Sequence, residues 1–218
     1  MKLLAGLGNP GARYERTRHN VGFMALDAFV GRLQAEVSWA ERFNARMARV
    51  RWRGDDLILL KPQTFMNLSG LAVGEAVRFY RVTLDELLIA HDDVDLPLGR
   101  VMVKRGGGDA GHKGVRSLME NLGSLDFARV RIGIGRPEGD ESVEDFVLRP
   151  FDDSEADMVT EALKKAVDAM TAWVAEGVSA AQNRVNRRER QAAPKHPEGT
   201  PCPETHVVSG PQDREEVQ

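Results

Sequence analysis

Residues 2–22 read Lys-Leu-Leu-Ala-Gly-Leu-Gly-Asn-Pro-Gly-Ala-Arg-Tyr-Glu-Arg-Thr-Arg-His-Asn-Val-Gly. The apolar run Lys2–Leu7 predicts a strand, and Gly6-Leu7-Gly8-Asn9-Pro10-Gly11 fits G-x-G-x-x-G directly after it. In a dinucleotide-binding fold the helix opens inside such a loop, so that its N-terminus faces a pyrophosphate. Here the chain continues from Ala12 to Asn20 with no apolar helical stripe, and periodic spacing begins only at Val21. The acidic residue expected about 20 positions on should end a second strand. Asp27, the nearest candidate, falls inside the helix predicted over Val21–Ala35 from Val21, Met24, Ala25, Ala28 and Phe29. The glycine pattern alone is weak, and its surroundings speak against a nucleotide cradle.

Outward from this stretch, Ala45–Trp52 alternates and Leu57–Leu60 is a short apolar run. The turn Arg53-Gly54-Asp55 between them predicts a hairpin. Ser69–Phe79 reads as a second helix and Leu87–Ala90 as a buried strand. Val101–Lys104 and Val130–Gly133 read as strands flanking a helix near Val115–Asn121. Glu155–Glu176 forms a long amphipathic helix with Met158, Leu163, Val167, Met170 and Trp173–Val174 on or near one face. Strands interleaved with helices predict a single α/β domain, and the hairpin makes its twisted sheet mixed, with helices flanking it.

Of 218 residues, 30 are basic and 33 acidic. The stretch Ala192–Gln218 holds two of the basic and five of the acidic residues, leaving the body neutral. A neutral body still has room for a local basic patch, which is what phosphate contact requires. Five of the ten prolines fall in 193–218, where periodic apolar residues are almost missing. A domain over 1–191 followed by a disordered, acidic, Pro-rich tail over 192–218 is therefore expected. Cys202 is the single cysteine, so neither an internal disulfide nor a multi-thiolate metal site is available. A signal peptide pattern and runs of 18 apolar residues are both lacking, which predicts a cytoplasmic protein without a membrane partner.

Five motifs occur in order: Gly6–Gly11 with Tyr14 and Thr17–Gly22, Lys61–Gly70, His91–Pro97, Gly106–Gly114 and Arg131–Pro137. Together they resemble bacterial peptidyl-tRNA hydrolase over about Met1 to Arg190. The resemblance implies hydrolysis of the ester that joins a peptide to tRNA, recycling tRNA from peptidyl-tRNA lost by ribosomes. It implies no cofactor and no metal, and a monomeric enzyme.

Ester hydrolysis needs a base for water and donors for the developing oxyanion. Histidine suits the first role because its unperturbed pKa lies near 6.5. The resemblance puts His19 there and implies that Asp92 orients it and stabilises the imidazolium. It assigns Asn9 to the blocked, N-acylated amino acid and Asn67 to the substrate near the ester. Tyr14 and Phe65 resemble tRNA-contacting aromatics, and Met66 packs under the site. Lys104 and Arg131, from the basic set Lys104, Arg105, Lys113, Arg116, Arg129, Arg131 and Arg136, are implied to clamp the 5′-phosphate. Gly106–Gly108 then offers a flexible loop to close over the acceptor stem near the CCA end.

One position departs from the family pattern. Asparagine is common after the histidine of the glycine loop, where this chain has Lys113. A tRNA contact there survives as charge while the amide geometry is lost.

Other readings of these residues stay open. His19 alone reads equally as a structural residue, Asn67 as the N-cap of the helix after it, and Asn9 as a turn residue before Pro10. His91, Asp92, Asp93 and Asp95 admit a hard-metal site, with Asp93 and Asp95 otherwise solvated or capping. A non-catalytic RNA-binding relative of the same fold is the remaining alternative.

Overall fold

A computed structural model describes residues 1–186, which fall within one compact unit, Met1–Arg187. The expected tail over 192–218 and the boundary at 191 lie outside the described residues. Seven strands form one sheet in the order β2-β3-β4-β1-β5-β7-β6: β1 (Lys2–Gly6), β2 (Ala40–Arg42), β3 (Ala45–Trp52), β4 (Asp55–Pro62), β5 (Leu87–Asp93), β6 (Val101–Arg105) and β7 (Ala128–Gly133). The four inner strands β4, β1, β5 and β7 run parallel, β3 and β6 pair antiparallel with β4 and β7, and β2 pairs antiparallel with β3. The sheet is thus mixed, as the hairpin predicted.

Parallel strands covered on both faces read as nearly continuous apolar runs, and β1, β4 and β5 are of that kind. Leu4, Leu57, Leu59 and Leu88 face one apolar layer with α1 (Val21–Arg32), α5 (Ala156–Glu176) and α6 (Val178–Val185). Leu3, Ala5, Ile58, Leu60 and Ile89 face a second layer with α2 (Ser69–Tyr80) and α3 (Lys113–Leu122). Each such buried leucine or isoleucine contributes about 1.5–3 kcal/mol of transfer free energy. Two separate cores hold the sheet between helices and leave its strand ends open. No helix among the described residues is long and apolar enough to cross a membrane.

The glycine signature turns out to be a packing device. A Cβ on Gly6 would strike the carbonyl of Gly22, and one on Gly22 would strike the backbone of Leu7 and Ala90. Glycine at both positions lets the first turn of α1 lie directly on the ends of β1 and β5.

The structure corrects several boundaries. The helix predicted to Ala35 stops at Arg32, because Gln34 takes φ +51°. Met158, placed near the apolar face of α5, is 46% exposed. β5 runs on to Asp93, so Asp92 belongs to the strand, not to the loop after Ala90. Three elements gave no sequence signal: β2, α4 (Val143–Leu148) and α6. The β2–β3 turn shows why. The register pairs Arg42 with Ala45, so Phe43 and Asn44 turn the chain at φ +58° and +50°. Arg53 and Gly54 do the same between β3 and β4, at +52° and +88°. Two-residue hairpins want positive φ at both positions, which Asn-Gly or Asp-Gly announces and Phe-Asn does not. The Phe43 ring offsets the strain by packing against Phe79 and Tyr80.

Candidate active site

β1 lies between β4 and β5, so the chain leaves it toward one side and later returns on the other. Such a switch opens a crevice at the carboxyl ends of the strands. Asn9 follows β1 there, and Asp92 sits near the end of β5. His19 belongs to the single 3-10 turn Arg18–Asn20 that leads into α1.

Asn20 joins the first two segments. Its Oδ1 accepts the Asn9 N–H at 2.8 Å, and its Nδ2 donates to the Asn9 carbonyl at 3.0 Å. Arg18 anchors the same turn from the other side. Its guanidinium, 1% exposed, donates to both Glu155 oxygens at 3.0 and 2.8 Å and lies over the Phe146 and Phe151 rings. A cation this deep is tolerated because it is paired. The pair ties the His19 turn to the start of α5, and the Phe146 contact ties it to α4, whose Val143 and Val147 line the cavity wall.

His19 Nδ1 lies 2.9 and 3.0 Å from the two Asp92 oxygens, with both residues buried. A carboxylate in that position accepts the Nδ1–H bond, keeps the proton on Nδ1 and leaves the lone pair on Nε2. Burial disfavours a charge on Asp92. The imidazoles of His19 and His112 outweigh it and hold the carboxyl well below the usual carboxylate range. His112 Nε2 is 2.9 Å from Asp92 Oδ1, while its Nδ1 accepts the N–H groups of Gly114 and Val115 at 3.1 and 3.2 Å. Behind them, His91 donates from Nδ1 to the Asp92 carbonyl at 2.6 Å, and burial pushes its pKa well below 6.5.

Ligand atoms of His19, Asp92 and His112 lie within 4.8 Å of one another, a separation that suits a metal ion. The hydrogen bonds oppose that use. His19 Nδ1 and His112 Nε2 each face the carboxylate as donors, and a metal on His112 Nε2 would force a proton onto the nitrogen that caps α3. The run His91–Asp95 does not converge either. Asp93 accepts from Arg131 Nε at 2.5 Å, and Asp95 pairs with Arg136.

Asn9 Oδ1 accepts the Met66 N–H at 2.8 Å, which fixes the amide and leaves its amino group as the donor for a ligand. Asn67 is exposed within the 3-10 turn Met66–Leu68, and its side chain bonds to no described residue. It does not cap α2, whose N-cap position is Leu68 without a side-chain bond.

His19, Asp92, Asn9, Asn67 and Met66 line one cavity of about 840 Å³, together with the more exposed Phe65 and Lys113. Met66 is 4% exposed and Phe65 54%. Lys113 pairs with Glu144 of α4 at 2.7 Å. Tyr14, Lys104 and Arg131 stand outside that lining. Tyr14 is half-buried on the single turn Ala12–Tyr14.

Lys104 and Arg131 share a face of the β6–β7 pair, since Lys104 is opposite Arg129 and Met102 opposite Arg131. Asp93, which lines the cavity, connects it to Arg131. The glycine loop is held from beneath, because the Arg129 guanidinium donates to the carbonyls of Gly106, Gly107 and Gly108.

Sequence reasoning passed over Arg18, Asn20 and His112, though each lies inside a quoted motif. His112 carried one usable signal: it stands one residue before a helix, at an N-cap position.

A peptidyl-tRNA hydrolase family model matches residues 3–194. Peptidyl-tRNA hydrolase of Syntrophomonas wolfei is 46% identical over 186 residues, covering 85% of this chain and all of that one. Its counterpart in Citrifermentans bemidjiense is 47% identical over 188 residues, 86% of this chain and 98% of the relative. A crystal structure of peptidyl-tRNA hydrolase from Acinetobacter baumannii is similar at TM-score 0.80 and 34% identity, covering 85% of this chain and 94% of that one.

Proposed function

Given that the chain belongs to the peptidyl-tRNA hydrolase family and hydrolyses peptidyl-tRNA, we propose that His19 is its general base and Asp92 the group that orients it. The bond from His19 Nδ1 to the buried Asp92 carboxylate carries this reading. With Nδ1 protonated, Nε2 takes a proton from water as the oxygen attacks the ester carbonyl. The tetrahedral intermediate then expels the ribose oxygen. His19 returns the proton to it, giving free tRNA and a peptide carboxylic acid, which ionises in water. Asp92 stabilises the imidazolium between those steps.

Asn9 acts as a donor, because the Met66 N–H on its oxygen fixes the amide and leaves the amino group to the substrate. A donor suits the amide carbonyl of an N-acylated amino acid, and a free α-ammonium offers it nothing to bond. Asn67 contacts the substrate near the ester, and Met66 packs beneath. Tyr14 and Phe65 meet the CCA end and acceptor stem, where aromatic faces stack on unpaired bases. Lys104 and Arg131 receive the 5′-phosphate, and Lys113 adds a cation nearby. Residues 1–191 carry this activity as a cytoplasmic monomer, where ribosomes release the substrate.

The test is release of N-acetyl-amino acid from N-acetyl-aminoacyl-tRNA, with a chelator present. Wild type is expected to turn over, and His19→Ala to lose about 10³-fold in kcat, within the range a positioned base supplies. Activity that survives His19→Ala removes the assigned base. Strong inhibition by the chelator points to a metal hydrolase instead.

A further inference from the structure

We propose that His112 is a positioning residue for the His19–Asp92 pair, its donating tautomer dictated by the N-terminus of α3. The inference rests on His19 being the base. His112 occupies the N-cap of a ten-residue helix, where its Nδ1 accepts from two backbone N–H groups that otherwise lack partners. A neutral imidazole with one nitrogen accepting must donate from the other. That donor points at Asp92 Oδ1, the oxygen nearer to His19 Nδ1. The helix backbone therefore sets a proton position two hydrogen bonds from the reacting nitrogen.

Two consequences follow for Asp92. Its Oδ1 meets both imidazoles, so the carboxylate is held by a second donor in its bond to the His19 ring. Its charge is also shared between two donors, which moderates the pull on the His19 proton. Protonating His112 at Nδ1 would turn an N–H against those of Gly114 and Val115 and destroy the cap.

The titratable and charged neighbours are few. The His112 ring lies 4.9 Å from His19 and 4.8 Å from His91, centroid to centroid. Asp92 faces it from β5, the Asp109–Arg116 pair sits in its own loop, and the Lys113–Glu144 pair follows it.

Two variants separate the cap from the donor. Asparagine is a good N-cap but stops well short of Asp92. His112→Asn should therefore keep the wild-type Tm, whereas His112→Ala should lower it. Both should lose about ten-fold in kcat/KM at neutral pH with KM nearly constant, a fraction of what a positioned base supplies. In both, the acid limb of the pH–rate profile should move to higher pH by about half a unit or more, because Asp92 with one donor holds the His19 proton more tightly. In wild type, ¹⁵N spectra should show a protonated Nε2 and an unprotonated Nδ1 on His112.

An acid limb that stays in place while activity falls would reduce His112 to a structural residue and overturn the proposal. So would full activity in His112→Asn, or a proton found on Nδ1. An active His19→Ala control would remove the base itself, and this proposal with it, by a result distinct from the others.

Discussion

In the cavity, His19, Asp92 and Asn9 are each less than a tenth exposed, and each is bonded to a named partner. On the neighbouring β6–β7 ledge, Lys104 is exposed and Arg131 is tethered to Asp93 through Nε. The contrast fits the tasks proposed for the two regions. Moving a proton requires placement to within about half an ångström, which burial and paired hydrogen bonds provide. Gripping a phosphate is an electrostatic task that tolerates mobile side chains and yields to salt.

Breaking the cavity should therefore hurt far more than breaking the ledge. Asp92→Asn keeps the shape but removes the charge proposed to stabilise the imidazolium. A loss of about 10²- to 10³-fold in kcat with little change in KM is expected from steady-state kinetics. A loss under about three-fold would show that Asp92 only orients.

The second effect is on stability. Burial holds His91 well below 6.5, so the unfolded chain binds its proton first as pH falls. Stability from this source is complete above about pH 6.5 and drops below it by about 1.4 kcal/mol per unit until the folded-state value is reached. Denaturant melts between pH 7.5 and 5.5 measure this slope, and His91→Gln should flatten it.

The ledge comes third. Lys104→Ala and Arg131→Ala should each raise KM about five-fold at moderate salt and cut the slope of log KM against log salt by about one, leaving kcat alone. A kcat loss at constant KM would place these residues in the chemistry. Smallest of all, Lys113→Asn removes a surface pair to Glu144 and should change kcat/KM by less than about three-fold. A larger gain would mean that the lysine obstructs the cleft.

The strands β1 and β3 and the helices α1, α2 and α5 were legible because period and length coincide there. β2 was not, since Phe43-Asn44 carries no turn signature and its strain is offset by Phe79 and Tyr80, distant in sequence. The end of β5 was missed for a related reason. His91, Asp92 and Asp93 look like loop residues by polarity, yet all three are buried in the strand, because two distant histidines satisfy Asp92, a distant arginine satisfies Asp93, and His91 bonds to the Asp92 carbonyl.

Among site residues, His19, Asp92, Asn9 and Asn67 were nameable from motif membership, and their chemistry from functional groups alone. His112, Asn20 and Arg18 were not, because each acts through a partner more than ten positions away.

By itself, the sequence determined the layered α/β plan, the family motifs and the absence of a helix opening inside the glycine loop. Local spacing and residue type suffice for those. The tertiary structure alone decided that the glycines serve backbone packing, that Asn9 is a donor, and that two histidines share Asp92. A donor becomes an acceptor, or a loop a strand, only through what sits across from it, and that neighbour is chosen by the fold.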